Sequence, residues 1–259
     1  MKIKGYQSIG LLRTVQAFAW MSFPFVLIFP STFNIWYFIV GVILLTSIGS
    51  SAGLHRYFGH KSFKTGKIRH WLLALLATLT TQGSVALWIV YHRSHHVYAD
   101  TKDDLISPTF IGFWKSLFAI QDFHSYKGVR PRDVARELQD AGVKFFHDWY
   151  WVTIFVYIAT LSLIDPILVL NMYLLPVFMV RFIFGLQNTF GHGVPSFCGY
   201  RNHETVDRSL NSPIVNILTF CLGETLHNNH HANPGKYDYR EKWFELDLTG
   251  FIIKRLLLK

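Results

Sequence analysis

Cysteine is nearly absent. Cys198 and Cys221 are the only two in 259 residues, and their isolation excludes a disulfide framework or a thiolate-bound metal, leaving ordinary buried or free thiols. Charge is sparse too. Asp, Glu, Lys and Arg make up 16% of the chain, with 16 acidic against 25 basic residues and a formal net charge of +9. A basic chain can bind nucleic acid, but these residues have no soluble face or recognised motif to sit on, so no nucleic-acid partner is expected. They concentrate outside the apolar runs, where they suit anionic lipid headgroups, a phosphate-bearing substrate or an acidic protein donor. Also missing are any repeat of solenoid length, any low-complexity tract and the alternation of apolar with charged residues that marks a soluble core.

What remains is apolar sequence in long runs. Hydrophobic residues form 51% of the chain, with 23 Phe, 12 Tyr and 8 Trp, and membrane insertion explains the runs better than a soluble core does. The fold expected is an all-α integral membrane protein of one domain over residues 1–259. It has four transmembrane helices in two hairpins, with a cytosolic helical cap. The spans fall at about residues 11–30, 33–54, 149–164 and 167–189, near the roughly 20 residues that cross the hydrocarbon core. The hairpins turn at Pro30, Ser31 and Thr32 and at Asp165 and Pro166. Lys2 and Lys4 precede the first span and Arg13 lies at its start, and Arg56, Lys61, Lys64, Lys67 and Arg69 follow the second. The positive-inside rule then puts the N-terminus, residues 61–69, the C-terminus and the site in the cytosol. The first apolar stretch is too long for a signal peptide and no cleavage site follows, so it is expected to be a retained span. A fifth apolar stretch, residues 71–90, has a polar middle of Thr78, Thr80, Thr81, Gln82, Gly83 and Ser84. It is expected to lie in the membrane plane or to be re-entrant. Residues 100–144, charged and interrupted by Pro108 and Pro131, read as short cytosolic helices.

Eight of the 13 histidines fall in three clusters: His55 with His60, then His92, His95 and His96, then His227, His230 and His231. Residues three and four apart share a helix face, so each of the last two clusters is expected to present three imidazoles in one direction as a half-site. His55 and His60 are roughly 140° apart on an α-helix, and Gly59 would permit the turn they need. A single buried histidine is usually a hydrogen-bonded core residue, but eight at ligand spacing beside membrane spans point to metal binding. Imidazole suits iron, zinc, copper and nickel alike. The count exceeds the needs of one four-coordinate zinc, so two ions are expected. Only Glu224-Thr-Leu-His227 matches the Glu-x-x-His pattern of soluble di-iron carboxylate proteins, and one copy cannot build that site. Glu224 is read instead as a partner that orients a ligand imidazole.

At these residues the chain resembles the membrane fatty acid desaturases, specifically the acyl-CoA (stearoyl-CoA, Δ9-type) family, from about Gly53 to the C-terminus. The markers are His92-Arg-Ser-His95-His96 with Tyr98 and Asp100-Thr101, then Gly112-Phe113-Trp114, then Gly199-Tyr200-Arg201 with Asp207 and Asn211, and finally Gly223-Glu224 ahead of His227-Asn-Asn-His230-His231. Asn188-Thr-Phe-Gly-His192 is similar to the family segment that supplies a ninth histidine, with the asparagine near the second iron. The pattern departs from the family at Thr225-Leu226 and at Asp104-Leu105-Ile106. The resemblance implies two Fe2+ ions, O2 as co-substrate, a fatty acyl substrate carried as acyl-CoA, and a cis double bond at Δ9. No fused cytochrome domain with a His-Pro-Gly-Gly motif is seen, so a separate ferredoxin- or cytochrome-type donor with its reductase is expected. His70, His124, His147 and His203 are expected to stand outside the metal site.

The run from Thr46 to Gly53 is made of small residues. It reads equally as close helix packing or as room for an acyl chain, with Ser51 and Ser47 beside it and Ile43 and Ile39 limiting its length. Two other functions fit parts of this pattern: an acyl-lipid desaturase or fatty acyl/alkyl hydroxylase on the same scaffold, and a histidine-rich membrane metal transporter. Transport is disfavoured because the histidines sit at span ends on one side.

Overall fold

The computed structural model describes residues 9–120 and 130–259. Lys2, Lys4 and His124 lie outside the described residues. Those described are helical, with only isolated bridges joining Asn211 to Tyr200 and to Leu226 and no strand.

Three helices are long and apolar enough to cross a membrane: Gly10–Ile28 with 19 residues, Ile35–Gly59 with 25 and Pro166–Gly191 with 26. The fourth expected span is the apolar helix Tyr150–Ile164, of 15 residues. It rises only about 22 Å against a hydrocarbon core of about 30 Å, so the described residues supply three full-length spans rather than four. The fifth apolar stretch is not one helix. It divides into Lys67–Leu79 and Val85–Tyr98 at the polar residues that made it unlike a span, with Thr81 at φ 57° and Gly83 at φ 97°. Residues 100–144 contain the short helices Pro108–Ile111, Phe113–Leu117, Pro131–Glu137 and Ala141–Asp148.

The chain forms two compact units, each made of three separated segments. The first comprises the chain up to Leu54, Lys67–Trp88 and Pro131–Val180. Its two turns are fixed by side chains whose short reach competes well for backbone groups. Asn34 Oδ1 accepts from the amides of Trp36 and Tyr37, and Asp165 Oδ1 from that of Ile167. Buried Asn171 ties the hairpins together, accepting from Asn34 N at 2.9 Å and donating to Thr32 O at 2.9 Å. The small residues permit close helix approach: a Cβ on Gly49 would lie 2.7 Å from Leu76 O, and one on Gly41 2.6 Å from the Pro176 ring. Packing thus accounts for Gly49 and Gly41.

The second unit comprises His55–Gly66, Ile89–Arg130 and Arg181–Lys259. Its segments are held by buried polar contacts. Arg93 Nε donates to Gly59 O at 2.9 Å, Asn188 Nδ2 to Ile106 O at 2.6 Å, and Thr65 Oγ1 to Leu257 O at 2.5 Å.

Candidate metal centre

All nine expected ligand positions fall in the second unit, where they form two groups. His55, His60, His92, His96 and His230 make one, and His95, His192, His227 and His231 the other. Within each, the candidate ligand atoms all lie within 4.8 Å of one another.

Local winding explains the sorting. His92, His95 and His96 sit on the helix Val85–Tyr98, and His227, His230 and His231 on the helix His227–Ala232. Residues i+3 and i+4 fall about 60° behind and about 40° ahead of residue i, so they straddle it. Each motif is therefore divided, contrary to the single direction expected: His92 and His96 join one group and His95 the other, while His227 and His231 join the second and His230 the first. The pair five apart is reconciled differently. Ile43–Gly59 is π-helical, and its i→i+5 hydrogen bonding stacks residues five apart on one face. The His60 amide donates to His55 O at 3.1 Å, so both rings reach one group without the turn expected at Gly59.

The helix His227–Ala232 has no side-chain N-cap. The asparagines between its histidines hold it instead. Asn229 donates to Tyr239 O at 2.8 Å and to Glu245 at 3.0 Å, and Asn228 Oδ1 accepts from the amides of Asn202 and His203, each at 2.8 Å.

Carboxylates set the ring orientation. Nδ1 faces Glu224 at 2.6 Å in His55, Asp104 at 3.1 Å in His95, Asp100 at 2.9 Å in His192 and Asp207 at 2.7 Å in His231. Each carboxylate accepts the Nδ1 proton, which leaves the Nε2 lone pair facing inward. The His95 and His192 Nε2 atoms are nonetheless 3.0 Å apart, as are those of His192 and His227. In the other group the Nε2 contacts are 2.7 Å for His60–His92, 3.1 Å for His92–His96, 3.0 Å for His96–His230 and 3.1 Å for His230–His55. Ligand nitrogens about 2.1 Å from one ion stand about 3.0 Å apart at right angles, which matches these spacings. The buried His231 Nε2 has no hydrogen-bond partner. The close facing ring nitrogens fit a cation at the middle of each group, the orphaned acceptor adds to this in the four-histidine group, and neutral imidazoles suit Fe2+ among the borderline ions.

Burial favours the neutral form of several of these rings. It pushes His92, His96, His227 and His230 well below the usual imidazole range, with neighbouring imidazoles adding to the effect, and His231 down to about 4 despite Asp207. Burial alone would raise Asp100, Asp104 and Asp207, but contacts with their histidines and with nearby backbone or hydroxyl donors hold all three below the carboxylate range.

The aspartate roles were missed in the sequence. Asp100 and Asp207 stood out there only as markers of resemblance, and the available signal was their place just after a histidine cluster or a loop turn. Arg56, one of the positive charges that follow the second expected span, is fully buried, donating to Glu224 at 2.9 and 3.2 Å, to Asp247 at 2.8 Å and to the carbonyls of Leu222 and Tyr237, with its guanidinium 4.0 Å over the Tyr239 ring. Asn188 donates to Ile106 O and to Ser116 Oγ at 2.9 Å. Ser47 and Ser51 are buried, whereas Ile39 and Ile43 are 39% and 42% exposed, so the four do not share one environment. His70, His147 and His203 stand outside both groups, against Asp140 at 3.1 Å, Ser84 at 2.8 Å and Glu241 at 2.6 Å.

Residues 33–243 match the family described as Fatty acid desaturase. Relatives include two proteins named sn-1 stearoyl-lipid 9-desaturase. That of Anabaena variabilis is 32% identical, the match covering 88% of this chain and 83% of the relative. That of Synechocystis sp. is 30% identical, covering 83% of this chain and 66% of the relative. The icosanoyl-CoA 5-desaturase of Limnanthes douglasii is 31% identical, covering 81% of this chain and 58% of the relative.

Proposed function

Because the chain belongs to the fatty acid desaturase family, we propose that it is a membrane oxidoreductase that introduces a cis double bond, at Δ9, into a saturated fatty acyl chain. The balanced reaction is –CH2–CH2– + O2 + 2 e− + 2 H+ → –CH=CH– + 2 H2O, with the electrons from an external ferredoxin- or cytochrome-type donor. Two iron ions held by the nine histidines, with O2, would supply the oxidising power that no side chain has. The observation that carries this reading is the pair His95 and His192. Both rings have Nδ1 on an aspartate, yet their Nε2 atoms stand 3.0 Å apart, an arrangement that a divalent cation between them relieves.

The chain's own residues hold and orient. Glu224, Asp104, Asp100 and Asp207 fix four rings, Arg56 fixes Glu224, and the burial of the groups excludes water. Regioselectivity then depends on presenting one carbon pair to the centre. The family resemblance favours acyl-CoA as carrier, whereas the names of the two cyanobacterial relatives favour a lipid-bound chain.

Expression in a desaturase-deficient host, with mass spectrometry of its fatty acids, tests the reaction, and purified protein supplied with stearoyl-CoA or with sn-1-stearoyl lipid separates the carriers. A product two mass units lighter and about two irons per chain are expected. A product that has gained oxygen, a single metal, or stoichiometric zinc from iron-rich medium would overturn the reading.

A further inference from the structure

Away from the histidine groups, the second unit has a stretch whose polarity is reversed. From Glu245 to Thr249 the side chains alternate, and it is Leu246 and Leu248 that face outward, 49% and 43% exposed, while Glu245 and Asp247 are 2% and 4% exposed and Thr249 is fully buried. The helix Pro213–Leu218 repeats the pattern, with Ile214, Ile217 and Leu218 exposed and Asn216 buried. The two segments are neighbours. Asn216 Nδ2 donates to Leu246 O at 2.7 Å and Leu248 N to Cys221 O at 2.7 Å, and exposed Phe251 follows in the next turn of chain.

The buried polar row cannot turn outward to repair this. Asp247 accepts from Arg56 and from the amides of Tyr239 and Gly250, and Glu245 accepts from Asn229 and Asn202. The outer row is therefore fixed as a contiguous apolar face, which soluble surfaces rarely leave to water. Its surroundings name the occupant. Lys242, Lys254 and Arg255 are exposed, and Trp243, next to Lys242 in the chain, is 94% exposed. Cations meet anionic headgroups and indole prefers headgroup depth. A second copy would set one basic rim against another, a repulsive arrangement.

We propose that the face formed by the helix Pro213–Leu218 and residues 243–251 is a membrane-interface contact, seated on anionic phospholipid headgroups and separate from the spans. It does not depend on the metal reading. It has a consequence for the site all the same: the outer leucines alternate with Asp247, which holds Arg56, which holds Glu224 on His55. Lipid contact on the outside would thus steady the carboxylates on the inside.

The test is depth measurement in nanodiscs of phosphatidylcholine with phosphatidylglycerol. The full chain carries Cys198→Ser and Cys221→Ser and one spin label, at Leu218→Cys, Leu246→Cys or, as an exposed polar control, Glu204→Cys. Collision with oxygen should exceed collision with a neutral nickel chelate several-fold at Leu218 and Leu246 and not at Glu204, and nanodiscs of phosphatidylcholine alone should reduce the difference. Free access of the chelate at both positions would overturn the proposal, and so would exclusion of both colliders, which would mean a protein partner. A second measurement needs no cysteine replacement. Brominated lipid should quench the emission contributed by Trp243, taken as the native spectrum minus that of Trp243→Phe, and an unquenched Trp243 contribution also overturns the proposal.

Discussion

At the scale of single residues, the site depends on protons being kept in the right places. An imidazole ligates only through a lone pair, so each ring needs its remaining proton on the outer nitrogen and no second one. The aspartates and Glu224 secure the first condition for His55, His95, His192 and His231, and burial favours the second for His92, His96, His227, His230 and His231. This gives a pH dependence for the metal-free protein. His92, His96, His227, His230 and His231 have folded pKa values depressed by burial, with His231 near 4 against an ordinary 6.5. Below 6.5 the unfolded chain takes up protons that the folded chain refuses. Stability is therefore present above that value and lost as pH falls through it, by up to about 1.4 kcal/mol per pH unit for each such ring. The His231 contribution levels off near 4, where its folded ring also protonates. Chelator-treated protein in detergent should show a thermal midpoint that drops steeply from pH 7 to pH 5, and a flat profile would contradict the burial argument. The histidines themselves were legible in the sequence because their spacing repeats. Of their carboxylate partners Glu224 was legible, as the residue three before His227, but the aspartates were not, since an aspartate beside a histidine cluster reads as a solvated charge until the fold brings it onto Nδ1.

At the scale of elements, winding decides which ring goes to which group. Eight histidines could be placed on helices from sequence, but their division could not be. That division depends on the 100° step between neighbouring positions for the two His-x-x-His-His motifs, and on π winding for His55 and His60, which no residue pattern in Ile43–Gly59 announced. The break at Thr80 to Ser84 was more visible, because hydroxyl, amide and glycine groups interrupt the apolar run. Element packing also fixes ring position. A Cβ at Gly191, the last residue of the helix Leu175–Gly191, would lie 2.9 Å from Cγ and Cδ2 of His227. Gly191→Ala should therefore displace His227 and weaken the four-imidazole group by about 10-fold or more. Bound metal would fall from two toward about one per chain while helicity by circular dichroism stays unchanged, and retention of two ions would show that the ring can yield.

At the scale of the molecule, the long apolar runs made the membrane class legible, and length alone reduced four expected spans to three full-length ones plus Tyr150–Ile164. The interleaving of the two units was not legible, because it rests on contacts between segments far apart in the chain. Charge placement still predicts sidedness. Single cysteines at Thr32 and Lys64, in a chain lacking Cys198 and Cys221, should be labelled from opposite faces of sealed vesicles, and labelling of both from one face would exclude the two-hairpin topology. The discontinuity of the second unit has one more consequence, which concerns time. His55 and His230 belong to one group and lie 175 positions apart, so a ribosome working at about 5–20 residues per second takes about 9–35 s to pass from one to the other. By residue 96 four of that group's five histidines have been made, and they wait for His230, 134 positions further on. No nascent or truncated chain ending before the third cluster can hold either group in full, and both groups are completed together as His227 to His231 are added.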